Sequence, residues 1–146
     1  MTPIVWSNDL ADQASEWAAK CTWKHSGTPG VGENLYLTSK QYSDINKFDP
    51  MEAVNSWASE LNCYDYDTNS CSGTITKNCQ PVTGNNCANQ VCGHYTQMVW
   101  ANSKNLGCAV QDCPSISNSP GINKGTLVVC QYQPPGNYIG QKPYRS

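Results

Sequence analysis

Gly93-His94-Tyr95-Thr96-Gln97-Met98-Val99-Trp100 is the stretch from which the rest of the chain is read. Tyr95, Met98 and Val99 stand at i, i+3 and i+4, which predicts a short helix with those three side chains on one side. Its second residue is one of only two histidines in the chain; the other is His25. Cys92 introduces the segment and Ala101-Asn102-Ser103 follows it.

Two further helices are expected upstream. Leu10, Ala14, Trp17, Ala18 and Cys21 form one helical stripe, with Ser7, Asn8 or Asp9 available as N-cap. Asp49-Pro50-Met51-Glu52 combines a capping acid, a proline at the first helical position and a glutamate three residues after the cap. It opens a stripe of Val54, Trp57, Ala58 and Leu61. Strands are read at residues 34–38, 106–110 and 126–132, the last bounded by Pro134-Pro135, with a turn region over residues 115–121. The order predicts an α+β domain, a three-layer α-β-α sandwich around a small antiparallel sheet.

Composition bounds the function. A chain of 146 residues is one domain's worth, so residues 1–146 are expected to form a single domain. Nine scattered cysteines read as a disulfide framework formed in an oxidising compartment, hence a secreted, extracellular protein. No apolar run approaches the roughly 18 residues of a membrane span. No signal peptide precedes Thr2-Pro3-Ile4, so a mature or trimmed form is expected. A net charge of −2 without clustered Lys or Arg argues against nucleic acid and anionic membrane as partners. There is no Asn-x-Ser/Thr acceptor for N-glycans. Cysteines 63, 71, 79 and 87 recur every eight residues in a polar stretch, so residues 63–92 are read as a cysteine-rich loop insertion.

The Gly93 to Trp100 stretch resembles the first signature of the CAP superfamily, the cysteine-rich secretory, antigen 5 and pathogenesis-related-1 proteins, also called the SCP domain. Leu127-Val128-Val129-Cys130-Gln131-Tyr132-Gln133-Pro134-Pro135-Gly136-Asn137-Tyr138 resembles the second signature, with Gln131 where Asn is usual. Trp6-Ser7-Asn8-Asp9-Leu10-Ala11 is similar to the start of the family's second helix, so the usual first helix is expected to be missing upstream. The resemblance implies the same sandwich and a cleft tetrad of His25, Glu33, Glu60 and His94. Glu33 lies in Gly32-Glu33-Asn34 and Glu60 in Trp57-Ala58-Ser59-Glu60.

Two imidazoles and two carboxylates suit a divalent cation, zinc above all, with His25 and His94 as ligands. From spacing alone both histidines are no more than surface or hydrogen-bonded structural residues; for Glu33 the bland reading is a solvated charge at a strand start, but Gly32 on one side and Asn34 on the other suggest a turn that aims it inward. Glu60 stands out, because a carboxylate in a helix's last turn opposes the macrodipole by about 0.3–1 kcal/mol, so another contact must favour it. Glu52 is read as the capping residue and left out of the cleft.

By the same resemblance Cys108 pairs with Cys130, Cys21 with Cys113 and, as in plant members, Cys71 with Cys92. Cys79 and Cys87 are then expected to pair by proximity, leaving Cys63 unpaired. The family implies no general catalytic activity, and no Gly-x-Ser-x-Gly elbow or His-Glu-x-x-His motif is present. The reading is therefore a non-enzymatic binding or defence effector for a small lipid, a sterol or fatty acid, with a protein receptor as another partner. Against sterol, the polar insertion offers little greasy surface. The alternatives are a metal-dependent hydrolase or protease, and a precursor whose residues 134–144 are released as a signalling peptide. For that tail the preferred reading is structural, packing over the sheet.

Overall fold

Ser7 starts the first helix of the computed structural model, which describes residues 1–71, 92–119 and 121–145. The Ser7 hydroxyl accepts from the Leu10 N–H at 3.3 Å, and α1 runs Asn8–Ala18. Leu10, Ala14 and Ala18 are buried, with Trp17 and Cys21 half-buried at the rim, so the stripe read from the sequence is the face that packs on the sheet.

Helix α2 spans Met51–Ser59, and the Asp49 carboxylate accepts from the Met51 N–H at 3.0 Å. Glu52, expected to cap, instead takes the Lys40 ammonium at 2.7 Å. The apolar stripe also differs at its end. The chain tightens into a 3-10 turn over Glu60–Cys63, which carries Glu60 inward to 4 % exposure and turns Leu61 out to 50 %. Ala53 joins Trp57 as the buried residue one turn earlier.

Helix α3 covers Gly93–Met98. Tyr95 and Val99 pack with Tyr64, but Met98 joins the cluster around Trp57. The expected single apolar side is thus split, because the helix has packing partners on two sides.

Among the described residues the strands follow in chain order as β1 (Val5–Trp6), β2 (Gly32–Thr38), β3 (Tyr64–Asp65), β4 (Ser70–Cys71), β5 (Asn105–Cys113) and β6 (Gly125–Gln133). The main sheet has the order β1-β5-β6-β2; β3 and β4 pair separately. All its pairs are antiparallel except the two-residue β1–β5 edge, too short to read from the sequence. Central β6 reads as a continuous apolar run because both its faces are covered. Leu127 and Val129 meet Ala14, Ala18 and Leu35 below α1, while Val128, Cys130 and Tyr132 meet Ala53, Trp57 and Phe48 below α2. These are the three layers expected.

Disulfides join Cys21 to Cys113, Cys71 to Cys92 and Cys108 to Cys130. The first ties the end of α1 to the end of β5; the last links directly opposed residues of β5 and β6. Cys63, expected to be unpaired, is also disulfide-bonded: the 3-10 turn buries it to 5 % exposure, and spacing along the chain did not report that placement. Cys79 and Cys87 lie outside the described residues, as does most of the 63–92 insertion.

The tail after β6 packs over α3 instead of over the sheet. Gly136 N–H donates to the Gln97 side-chain oxygen at 2.9 Å, and Ala101 N–H to the Pro143 carbonyl at 2.8 Å. The sheet's two faces are already occupied by helices, which leaves the flank of α3 as the apolar surface available.

Candidate functional site

Gly32-Glu33-Asn34 begins β2, an edge strand of the main sheet, and the strand's alternation sends successive side chains to opposite faces. A side chain at Gly32 would run into the buried Gln97 amide of α3, so glycine is required by the close approach. Asn34 points to the same face, where its amide donates to the His94 carbonyl at 3.0 Å and to the Tyr132 hydroxyl at 3.3 Å. Glu33 points to the α1 face, beside Gln131.

Glu33 is saturated with hydrogen bonds. One oxygen accepts from His25 Nδ1 and the Ser26 N–H, both at 2.9 Å; the other accepts from the Ser26 hydroxyl at 2.7 Å and the Gln131 amide at 2.9 Å. Its side chain is 6 % exposed, whereas that of His25 is 65 % exposed. Burial pushes the Glu33 pKa up, but the His25, Gln131 and Ser26 hydrogen bonds outweigh it, and the carboxyl is held below its ordinary value of 4.5. The hydrogen bond to Glu33 raises His25 above 6.5, against a smaller opposing effect of burial.

Glu60 forms the second pair from the opposite face. One oxygen accepts from the backbone N–H groups of His94 and Tyr95 at 3.0 and 3.2 Å, and the other from His94 Nδ1 at 2.8 Å. Cys92, at the N-cap position of α3, supplies no side-chain cap. Glu60 caps α3 from outside it, satisfying N–H groups that a helix start leaves open. This contact explains a carboxylate at the end of α2: the same charge sits favourably at the start of the next helix. The His94 ring also lies parallel to the Trp57 indole, 11° apart with centroids 6.1 Å apart.

The expected four residues therefore meet as two His/Glu pairs on opposite faces of β2. In each, a buried carboxylate fixes one imidazole through Nδ1 and leaves Nε2 as the nitrogen open to a ligand. His94 and Glu60 line a groove of about 720 Å³ that runs along the edge of β2 beside α2 and draws its wall from both sides of the strand, Trp23, Leu35 and Leu37 from the α1 side and Tyr36 and Trp57 from the other. His25 and Glu33 line a separate cavity of about 230 Å³. Among the described residues no group of three or more His, Cys, Asp or Glu converges to hold a metal ion. A cation reaching either site would meet one imidazole Nε2, because the carboxylate oxygens are already taken by protein donors.

Sequence reading missed the residues that hold the pairs in place. Gln131, fully buried, stands out in the sequence only as a departure from the family's asparagine, yet it braces Glu33 from β6. Ser26 carried one signal, its position next to His25. Gln97 bridges Ser103 and Gly136, and no local pattern marks that role.

The three-layer sandwich and its disulfides agree with the fold of the solved structures that this chain resembles. The chain belongs to the CAP, or cysteine-rich secretory protein, family, which matches residues 1–132. It is 35% identical over 150 residues to peptidase inhibitor R3HDML of Mus musculus, covering 100% of this chain and 54% of that protein. It is 32% identical over 149 residues to peptidase inhibitor 15 of Homo sapiens, covering 99% and 53%. The chain thus spans about half the length of these relatives. Among solved structures it is similar to Na-ASP-1, with a TM-score of 0.72 and 34% identity over 99% of this chain and 32% of that one. NaASP2 with Zn2+ gives 0.67 and 28%, covering 99% and 66%.

Proposed function

We propose that this chain is an extracellular binding module that holds a small amphiphile in the groove at His94, without turning it over. The observation that carries this reading is the saturation of Glu33 and Glu60. A general base must be free to take a proton from substrate or water. Here four donors occupy Glu33 and three occupy Glu60. Relatives named peptidase inhibitors are in keeping with a binder.

The groove combines an apolar wall of Trp23, Leu35, Leu37 and Trp57 with a polar end at His94, Glu60 and Asn55, a lining suited to a sterol or fatty acid with one polar head. A divalent cation, zinc by the donor character of imidazole, would be held through Nε2 of His94 or His25, with water completing its shell. Glu33 and Glu60 would orient these ligands from behind. Native mass spectrometry after incubation with an extracellular lipid extract tests the reading. Bound sterol or fatty acid, displaced when Leu37 is replaced by Asp, supports it; no lipid adduct overturns it.

A protein ligand is a second reading, favoured by one feature. The side of β2 away from β6 carries no further strand among the described residues, and an extended segment can add to such an edge. A panel of extracellular peptidases assayed with and without the protein tests it through inhibition that Leu37→Asp removes.

A further inference from the structure

The net charge is −2, yet three cations gather around one cavity that none of the four His/Glu residues lines. Lys104 comes from the approach to β5, and Lys142 and Arg145 from the tail. With Tyr66, Trp100 and Tyr144 they line a space of about 670 Å³, within the usual range for small-ligand sites. Among the described residues no Asp or Glu lines it and none of the three cations forms a salt bridge, unlike Lys40 with Glu52.

The cavity is held in shape. Ala101 N–H donates to the Pro143 carbonyl, the Tyr66 hydroxyl donates to the Tyr144 carbonyl at 2.9 Å, and the Tyr66 and Tyr144 rings stack 5.0 Å apart. These contacts fix the backbone just after Lys142 and just before Arg145. The Lys142 ammonium lies 4.2 Å from the centre of the Tyr66 ring. Lys104 donates once, to the Ala101 carbonyl at 2.8 Å, leaving further N–H donors for a ligand.

We propose that this cavity binds a sulfated or phosphorylated sugar. A tetrahedral ester anion offers the several acceptor oxygens that Lys104, Lys142 and Arg145 can share. The Asn102 and Gln141 amides suit a sugar's hydroxyls, and the half-buried Tyr144 ring stands beside them. Among the described residues no Leu, Ile, Val or Phe lines the space, so an acyl chain would find little aliphatic surface besides Met1, Ala101 and Pro143. The sugar ester is therefore preferred to an anionic lipid.

Isothermal titration with a sulfated disaccharide, its desulfated counterpart, a sugar phosphate and phosphatidylserine vesicles tests the proposal. The sulfated or phosphorylated sugar should bind with an affinity that falls with salt. Lys142→Gln/Arg145→Gln and, separately, Lys104→Gln should weaken it by about tenfold or more, the scale of a lost charge-assisted hydrogen bond. His94→Ala should leave it unchanged, and Trp100 fluorescence should respond to the ligand. Equal binding of the desulfated sugar, unchanged affinity in the cation variants, or binding of vesicles without either sugar ester would overturn it.

Discussion

Glu60 and His94, 34 residues apart, are joined twice: one carboxylate oxygen accepts the His94 backbone N–H and the other its ring Nδ1. A single buried residue thus starts α3 and fixes the tautomer of its histidine. Removing the carboxylate leaves the His94 and Tyr95 N–H groups without partners. Glu60→Ala should cost about 2–4 kcal/mol by urea unfolding, from lost bonds to a charged acceptor and unsatisfied donors. Glu60→Gln should lie between it and wild type. A loss under about 0.5 kcal/mol for the alanine variant would show that α3 is capped by other means.

The His25/Glu33 pair predicts a pH window. Glu33 is held below 4.5, so its contribution to stability is present above that value and lost as pH falls through its folded-state pKa. His25 is held above 6.5, so its contribution is complete below 6.5 and lost as pH rises through its folded-state pKa. Both contributions coexist between about 4.5 and 6.5. The effect of His25 should be small, because its exposed ring is screened by solvent. Thermal unfolding of wild type and His25→Asn across pH should show the difference between them largest in that window and shrinking above it. A difference that grew with rising pH would contradict the pairing.

The packing of the tail on α3 rests on Gly136. A side chain there would come within 2.7 Å of the Trp100 ring and 2.9 Å of the Gln97 amide. Gly136→Ala should destabilise the protein by about 1–3 kcal/mol, the range for overpacking a close contact. Hydrogen exchange should quicken at Gly136, whose N–H is held by Gln97. If exchange there is unchanged, the Gly136–Gln97 contact does not anchor the tail.

Much of this fold is legible in the sequence because local chemistry agrees with it. Ser7 and Asp49 accept where caps were read, and the Leu10-Ala14-Ala18 stripe is the face that packs. The errors came where one element answers to another. Leu61 follows the α2 stripe in sequence but is turned out by the 3-10 turn that brings Glu60 to α3. Met98 leaves Tyr95 for Trp57, and Glu52 leaves the helix start for Lys40. His25, Glu33, Glu60 and His94 were picked out by motif. Their division into two pairs depends on which face each β2 residue takes, and the bracing by Gln131 and Ser26 on contacts across the sheet.

The Cys21–Cys113 disulfide closes a loop with a sequence separation of 92. Cys21→Ser/Cys113→Ser should lose about 4–5 kcal/mol by the chain-entropy account. Denaturant unfolding measures it, and a loss below about 1 kcal/mol would mean that the unfolded chain is already restricted by the remaining bridges.

The central claim, binding without catalysis at carboxylate-held histidines, is tested most directly by turnover. Wild type, Glu33→Gln and Glu60→Gln, prepared identically, are assayed on a broad panel of peptide and ester substrates with zinc supplied. No turnover above a buffer blank, or equal residual activity in all three proteins, is the predicted result. Hydrolysis by wild type that either substitution abolishes, with circular dichroism unchanged, would contradict the account and establish a hydrolase.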